Sequence, residues 1–306
     1  MALSSFIAAL PPDLRLTVAD VGSAGGLQKR WNPVRPLIEG MLFEPREGGS
    51  VRRAGPDTIY PVALGAAPGT VTLNITALAN MSSTLTPNAD LLSTFRKKGE
   101  DVAIVDRQEM SVDTLDRICA EDGRKVDAIK VDVQGSELII LAGAEKTLTK
   151  DVLLAEVEVS FLRRYHDQAL AEDVLPYMAA RGFDLIELHR PKRYRAKNQS
   201  KAVSPNLLSS QRSGRVAYAD GIFFIREDRL IERLAGLPRE AAETTALKAM
   251  LALLVYAKPD IAARLFDLSA DYLAPERQKA LGQWFKSLGL GSMIQRMAGK
   301  LIGRRG

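Results

Sequence analysis

The stretch Leu16-Thr-Val-Ala-Asp20-Val-Gly22-Ser-Ala-Gly25-Gly26 decides how this chain is read. A short run of strand-forming residues meets an acid and then three glycines within five positions. Such a run is a buried strand that stops at Asp20 and turns at Gly22. Gly25 and Gly26 then let the backbone approach a ligand with no side chain in between. A second apolar segment, Met41 to Phe43, ends in Glu44, where a doubly wound sheet sets a carboxylate against ribose hydroxyls.

The glycine spacing separates two kinds of cofactor. A dinucleotide fingerprint needs Gly-x-Gly-x-x-Gly so that a pyrophosphate can rest on backbone amides, and here position 24 is alanine. An acid two residues ahead of the first glycine suits a cofactor with a cationic amino-acid end and no phosphate, such as S-adenosylmethionine. The same residues also fit a tight strand-to-helix turn that binds nothing.

Working outward, apolar runs at Leu16 to Val21, Met41 to Phe43, Ile59 to Leu64, Ala128 to Val133, Val152 to Val157, Phe183 to Leu188 and Gly221 to Ile225 alternate with helical or polar segments. They predict an α/β fold with a doubly wound, mostly parallel sheet of seven strands. Thr70 to Thr76, where threonine and valine alternate, predicts an extra strand pair inserted before the fourth main strand. Residues 173–181 read as a helix that Gly182 ends. From Arg229 the pattern turns helical, with helices expected over Ala246 to Tyr256 and after Pro259 and Pro275. The expected division is therefore a domain over 1–228 and a helical extension over 229–306.

Several of these segments, in the same order, resemble the FkbM family of class I S-adenosylmethionine-dependent methyltransferases. The matching residues are Asp20 to Leu27 with Trp31, Phe43-Glu44-Pro45, Val62 to Gly65, Ser82 to Leu85, and Asp113 to Asp116. The most specific block is Ile129-Lys-Val-Asp132-Val-Gln134-Gly-Ser-Glu137-Leu138, continuing to Ala144. Glu158 to Phe161 with Tyr165, and Ala219 to Phe223, complete the set. The family often has glutamate where Gln134 stands and asparagine where Ala24 stands, which weakens a catalytic or cofactor role at those two positions. The resemblance implies a Rossmann-like methyltransferase fold, methyl transfer from S-adenosylmethionine, and an oxygen acceptor: a hydroxyl of a sugar, glycoconjugate or related metabolite. The segment after Asp132 agrees, because methyltransferases of base or amide nitrogens often follow that position with Pro-Pro and an aromatic. Here it is Val-Gln-Gly.

Composition narrows the chemistry. The 306 residues are 46% hydrophobic, ample for a large core. The single cysteine, Cys119, excludes the three-cysteine cluster of radical S-adenosylmethionine chemistry. Two histidines without metal-ligand spacing argue against a dedicated transition-metal site. The opening residues, Met1 to Pro12, read as a short helix and not as an export signal, and no apolar run is long enough to span a bilayer. A cytoplasmic location is expected.

Ligands of open α/β sheets sit beyond the carboxyl ends of the strands. The donor is expected on Asp20, Gly22, Ser23, Gly26, Glu44 and Asp132. Asp132 should stand nearest the methyl and the acceptor, with Glu158 binding the acceptor or serving as base. Asp132 could instead, or also, cap the helix that begins near Gly135, and Glu137 fits best as a first-turn acid held by the helix dipole. His166 is a candidate base, or an exposed loop histidine. Ser82 and Ser83 line the pocket or form a polar turn.

Two basic segments point to partners. Between His189 and Ala219 lie eight lysines and arginines and no acid, Arg193 and Arg195 among them. They form either a solvated face or a grip on an anionic, phosphate-bearing part of the acceptor. From Arg277 to the end, basic residues interleave with Leu281, Trp284, Phe285, Leu288, Met293, Ile294, Met297, Leu301 and Ile302. That helix can rest on an anionic membrane surface, or pack as a lid or homodimer contact. Two other classes compete with O-methylation. A binding module that has lost catalysis is disfavoured by intact Asp20, Glu44 and Asp132. A nucleic-acid methyltransferase is encouraged by the net charge of +5 and disfavoured by the few aromatics in the basic loop.

Overall fold

The computed structural model describes residues 3–22, 25–200 and 213–302, with side chains followed to residue 289. In chain order come helix α1 (Leu3–Ile7) and strands β1 (Leu16–Val21), β2 (Ile38–Phe43), β3 (Arg52–Ala54), β4 (Asp57–Tyr60), β5 (Ala63–Leu64) and β6 (Gly69–Thr76). Short helices α2 (Ala89–Ser93) and α3 (Lys98–Asp101) lead to β7 (Ile104–Asp113). Then α4 (Leu115–Asp122), β8 (Ala128–Val131), α5 (Glu137–Ala142), α6 (Glu145–Lys150), β9 (Leu154–Ser160), α7 (Ala171–Ala180), β10 (Phe183–Tyr194) and β11 (Arg215–Ile225) follow. Helices α8 (Glu227–Ala235), α9 (Arg239–Val255), α10 (Pro259–Ser269) and α11 (Pro275–Ile302) complete the described chain.

The central sheet has the order β10-β11-β9-β8-β1-β2-β4-β3. It holds eight strands and not the expected seven; the extra one is the exposed edge strand β3, whose Arg52-Arg53-Ala54 carries no apolar signal. β1 with β8, β8 with β9, and β2 with β4 run parallel, while β11 lies antiparallel between β9 and β10. All residues of β1 and β9 are buried, as strands covered on both faces require. Strand order departs in opposite directions from β1 and β8, so the switch point, where such sheets bind ligands, falls between their carboxyl ends.

Several expectations need correction. The run Ile59 to Leu64 is not one strand: β4 joins the central sheet, and β5 joins a separate three-stranded sheet of order β5-β7-β6. β6 is the strand expected over Thr70 to Thr76, and its partner is β7. The basic segment is not a loop from His189 onward, because β10 continues to Tyr194 and pairs with β11 from Arg215. Lys201 and Arg212 of that segment lie outside the described residues.

Contacts divide the chain into two compact units: Met1–Leu16, Gln28–Ile38 and Glu227–Gly306 in one, Thr17–Leu27 and Glu39–Arg226 in the other. In the first, Phe6 packs edge-on against Phe285 and, at 5.1 Å, against Trp284, and Trp31 meets Tyr256 at 5.9 Å. Leu281 and Trp284 are buried, so the apolar stripe of α11 begins inside a core. Met293, Ile294, Met297, Leu301 and Ile302 of the expected basic stripe lie outside the described side chains. No described helix is long and apolar enough to cross a membrane.

Candidate active site

The described candidate residues belong to the second unit, and Asp20, Gly22, Glu44, Asp132 and Glu158 lie at or near the carboxyl ends of its strands. The stitch at the switch point is made by backbone. The Gly22 N–H donates to Phe43 O at 3.2 Å, and the Asp132 N–H donates to Val21 O at 3.2 Å. Gly22 has φ +84°, and a Cβ there would stand 2.3 Å from Asp132 O. Glycine is thus required twice over, by conformation and by space. Gly26, at φ +91°, faces open space: a Cβ would meet nothing within 4 Å. Ser23 lies outside the described residues.

Asp20 ends up buried on β1, opposite Lys130 of β8. The Lys130 ammonium stands 3.8 Å from Asp20 Oδ1 and 3.3 Å from Asp132 Oδ2. Burial works against that charge, but Asp132, Asp20 and Glu156 outweigh it and raise the lysine above its ordinary value. Glu44 follows β2, beside β1 in the sheet. Its carboxylate accepts from Arg46 Nε at 2.9 Å, from Arg46 Nη2 at 2.8 Å and from the Arg46 N–H at 3.1 Å. Burial alone would raise its pKa; the Arg46 bonds and charge prevail and hold it below the usual carboxylate range.

Asp132 does not cap a helix. The cap position of α5 is Ser136, and the Glu137 carboxylate reaches back to accept from the N–H groups of Gly135 and Val133. Glu137 thus ties down the residues leading into α5, and Asp132, about a third exposed, is left for other work. Its second partner is Gln134, whose Nε2 donates to Asp132 Oδ1 at 3.2 Å and to Glu158 Oε2 at 3.3 Å. Gln134 sits at φ +62°, uncommon for a residue with a Cβ, and Ser83 Oγ donates to its carbonyl at 2.7 Å. Ser82 serves the turn, accepting from the Thr76 N–H.

Behind Gln134 stands Arg164, almost wholly buried. Its Nη1 donates to Gln134 Oε1 at 3.0 Å, and its Nη2 pairs with Glu158 and donates to Ser160 Oγ at 3.1 Å. The guanidinium also lies 4.2 Å from the Tyr218 ring centroid. Tyr165 donates to Met81 O at 2.8 Å and stands 3.5 Å from Gln134 Oε1. Glu158 is therefore sealed in a pair and not open to solvent. Burial pushes its carboxyl up to about 8 against the pull of Arg164, with Glu137 and Asp132 adding to the rise. The chain Asp132, Gln134, Glu158 and Arg164 can fix the direction of the Asp132 carboxylate.

His166 is exposed, and its N–H donates to Thr86 O. Arg193 and Arg195 are exposed at the outer end of β10; Arg193 Nη1 donates to Gly214 O at 3.2 Å. The sequence reading missed Lys130 and Arg164 and discounted Gln134. Nothing in Phe161-Leu-Arg-Arg-Tyr separates exposed Arg163 from buried Arg164 beforehand.

Residues 35–185 match the family model described as the methyltransferase FkbM domain. No curated protein matches the chain. A solved structure similar to it is a methyltransferase FkbM from Methylobacillus flagellatus KT, at 14% identity and a TM-score of 0.35, covering 69% of this chain. The match takes in 44% of that protein, so this chain spans less than half of its length.

Proposed function

The chain belongs to the FkbM methyltransferase family through residues 35–185, and from that premise we propose that it is an S-adenosylmethionine-dependent O-methyltransferase acting on a hydroxyl of a sugar, glycoconjugate or related metabolite. The observation that carries this reading is the set of three carboxylates, Asp20, Glu44 and Asp132, at the ends of β1, β2 and β8, next to the switch point. The set fits the donor. Three carboxylates against the two cations Lys130 and Arg46 favour a ligand with an ammonium, a sulfonium and ribose hydroxyls over a pyrophosphate. Gly22 and Gly26 add no side chain at their own places in the turn after β1, and Asp20, Glu44 and Asp132 would hold the donor. When bound, that donor supplies a methyl group already activated for transfer.

The residues of the chain then have two tasks. Asp132, the carboxylate left accessible, receives the acceptor hydroxyl and takes its proton. Gln134, fixed by Arg164 and Glu158, keeps the carboxylate aimed; Glu158 acts through that amide. Holding the reactants in line contributes up to roughly 7–11 kcal/mol, more than the hundred- to ten-thousand-fold of proton transfer, so a rigid mount matters more than the strength of the base.

Calorimetric titration of the intact chain with S-adenosylmethionine is expected to show binding that Glu44→Ala weakens. With labelled donor, label is expected on a hydroxylated acceptor extracted from the source cell. Label found only on protein or nucleic acid counts against the reading.

A further inference from the structure

The outer end of β10 is joined by a segment far away in sequence. Phe95 and Ala196 form an antiparallel bridge, the Arg96 N–H donates to Arg195 O at 2.9 Å, and the Lys197 N–H donates to Thr94 O at 2.8 Å. This register sets Arg96 directly opposite Arg195. Alternation along the ribbon turns Phe95 and Tyr194 inward, where they meet edge-on at 5.6 Å in a small core with Leu92, Leu162 and Ala217. Arg96, Arg193, Arg195 and Lys197 are exposed. Among the described residues, no carboxylate pairs with Arg96, Arg195 or Lys197, whereas neighbouring Lys98 has Asp101.

Like charges directly across a strand pair destabilise it. The arrangement on a rigid aromatic floor asks for a bound anion to offset that cost. Its position suits the acceptor. Tyr218 pairs with Ser160, the last residue of β9, and with Lys192 on the other side. The ribbon therefore extends past the carboxyl ends of the parallel strands, on the side of Asp132. Tyr218 itself lies over Arg164, which holds Gln134.

We propose that Arg96, Arg193, Arg195 and Lys197 form a two-strand anion cradle that binds the diphosphate of a phosphate-bearing acceptor. The proposal rests on the methyltransferase reading only for the identity of the occupant as acceptor. Guanidinium groups side by side match a diphosphate bidentately, and the repulsion between them is relieved when it binds.

The test uses the full chain and pyrophosphate as probe. Pyrophosphate is expected to raise the melting temperature of the unaltered protein, an effect that added salt weakens. Arg195→Glu and, independently, Arg96→Glu are each expected to weaken pyrophosphate binding about tenfold or more and to erase the thermal shift. Without pyrophosphate, each variant is expected to melt no lower than the unaltered protein, since an opposite charge now faces the remaining arginine. A thermal shift retained by both variants overturns the proposal. So does binding of RNA but not of pyrophosphate. Titration of the same preparations with S-adenosylmethionine reads the methyltransferase assignment separately: no donor heat beside an intact pyrophosphate shift defeats that assignment and leaves the cradle standing.

Discussion

Replacing Arg164 by methionine isolates the support behind Asp132. Methionine keeps much of the buried stem but removes the partner of Glu158 and the donors to Ser160 Oγ and Gln134 Oε1. Above about pH 8, where Glu158 is ionised, removing one member of this buried ion pair costs up to about 3–5 kcal/mol because the other charge is left without a partner. For a unit of this size that lowers the melting temperature by roughly 6–20 °C. The sign of the pH dependence follows from Glu158. Its carboxyl is already pushed up to about 8, and without the guanidinium it rises further. The folded variant therefore keeps a proton that the unfolded chain releases above about 4.3, so stability is present at acid pH and is lost as pH rises toward and past 8. The deficit relative to the unaltered protein is expected to stay level up to about pH 8 and to grow above it, where the carboxylate ionises in the parent but keeps its proton in the variant. Far-UV circular dichroism is the suitable probe, since both tryptophans, Trp31 and Trp284, lie in the other unit. The double variant with Glu158→Met as well should recover much of the loss, as apolar replacement of a buried pair often does. A deficit that stays below about 1 kcal/mol above pH 9, or one that does not grow between pH 7.5 and 9.5, would refute the reasoning, since both rest on an uncompensated buried carboxylate.

Three further expectations concern the same edge of the sheet. Gly22→Ala should destabilise by more than the roughly 1–2 kcal/mol of a left-handed residue, because its Cβ meets Asp132 O at 2.3 Å, while Gly26→Ala should cost only that conformational amount; paired thermal melts compare them. Gln134→Leu removes the amide between Asp132 and Glu158, so kcat should fall about tenfold to a hundredfold in the methylation assay, with a much smaller change in the Kd for S-adenosylmethionine, which Asp20 and Glu44 also hold. An unchanged kcat would deny Gln134 its aiming role. Glu44, held below the usual carboxylate range by Arg46, contributes stability that is present at neutral pH and lost as pH falls through its folded-state value. Arg46→Ala should flatten that acid limb of the melting-temperature profile, and an unaltered limb would assign it to other carboxylates.

The parts legible beforehand were those whose residues have one physical use. An apolar run into Asp-x-Gly forced a strand and a turn, and β1 was read with its observed bounds. Asp132 could be placed because strand ends follow from apolar runs. What stayed hidden was polar by composition. β7 exposes most of both faces, so Asp106, Arg107, Gln108 and Glu109 gave no alternation to detect. β10 past Leu188 is a strand held by its pairing with β11, against a run of charges that propensity reads as loop. Arg164 and Gln134 acquire their meaning from each other, across 30 residues of chain, and no local pattern encodes that meeting.

The position of β11 between β9 and β10 reaches beyond the chemistry. The last described strand in chain order, β11, is not at the edge of the sheet: it slots into an interior lane beside β9, which is buried along its whole length. Until Ile225 has emerged, β9 is a bare apolar edge and β10 has no neighbour to pair with. Folding of the sheet must therefore wait until β11 has been made, and before then the nascent chain is exposed to misassembly. A fragment trimmed to residues 35–185, the span that matches the family model, would lack β1, β11 and most of β10 and should aggregate instead of folding.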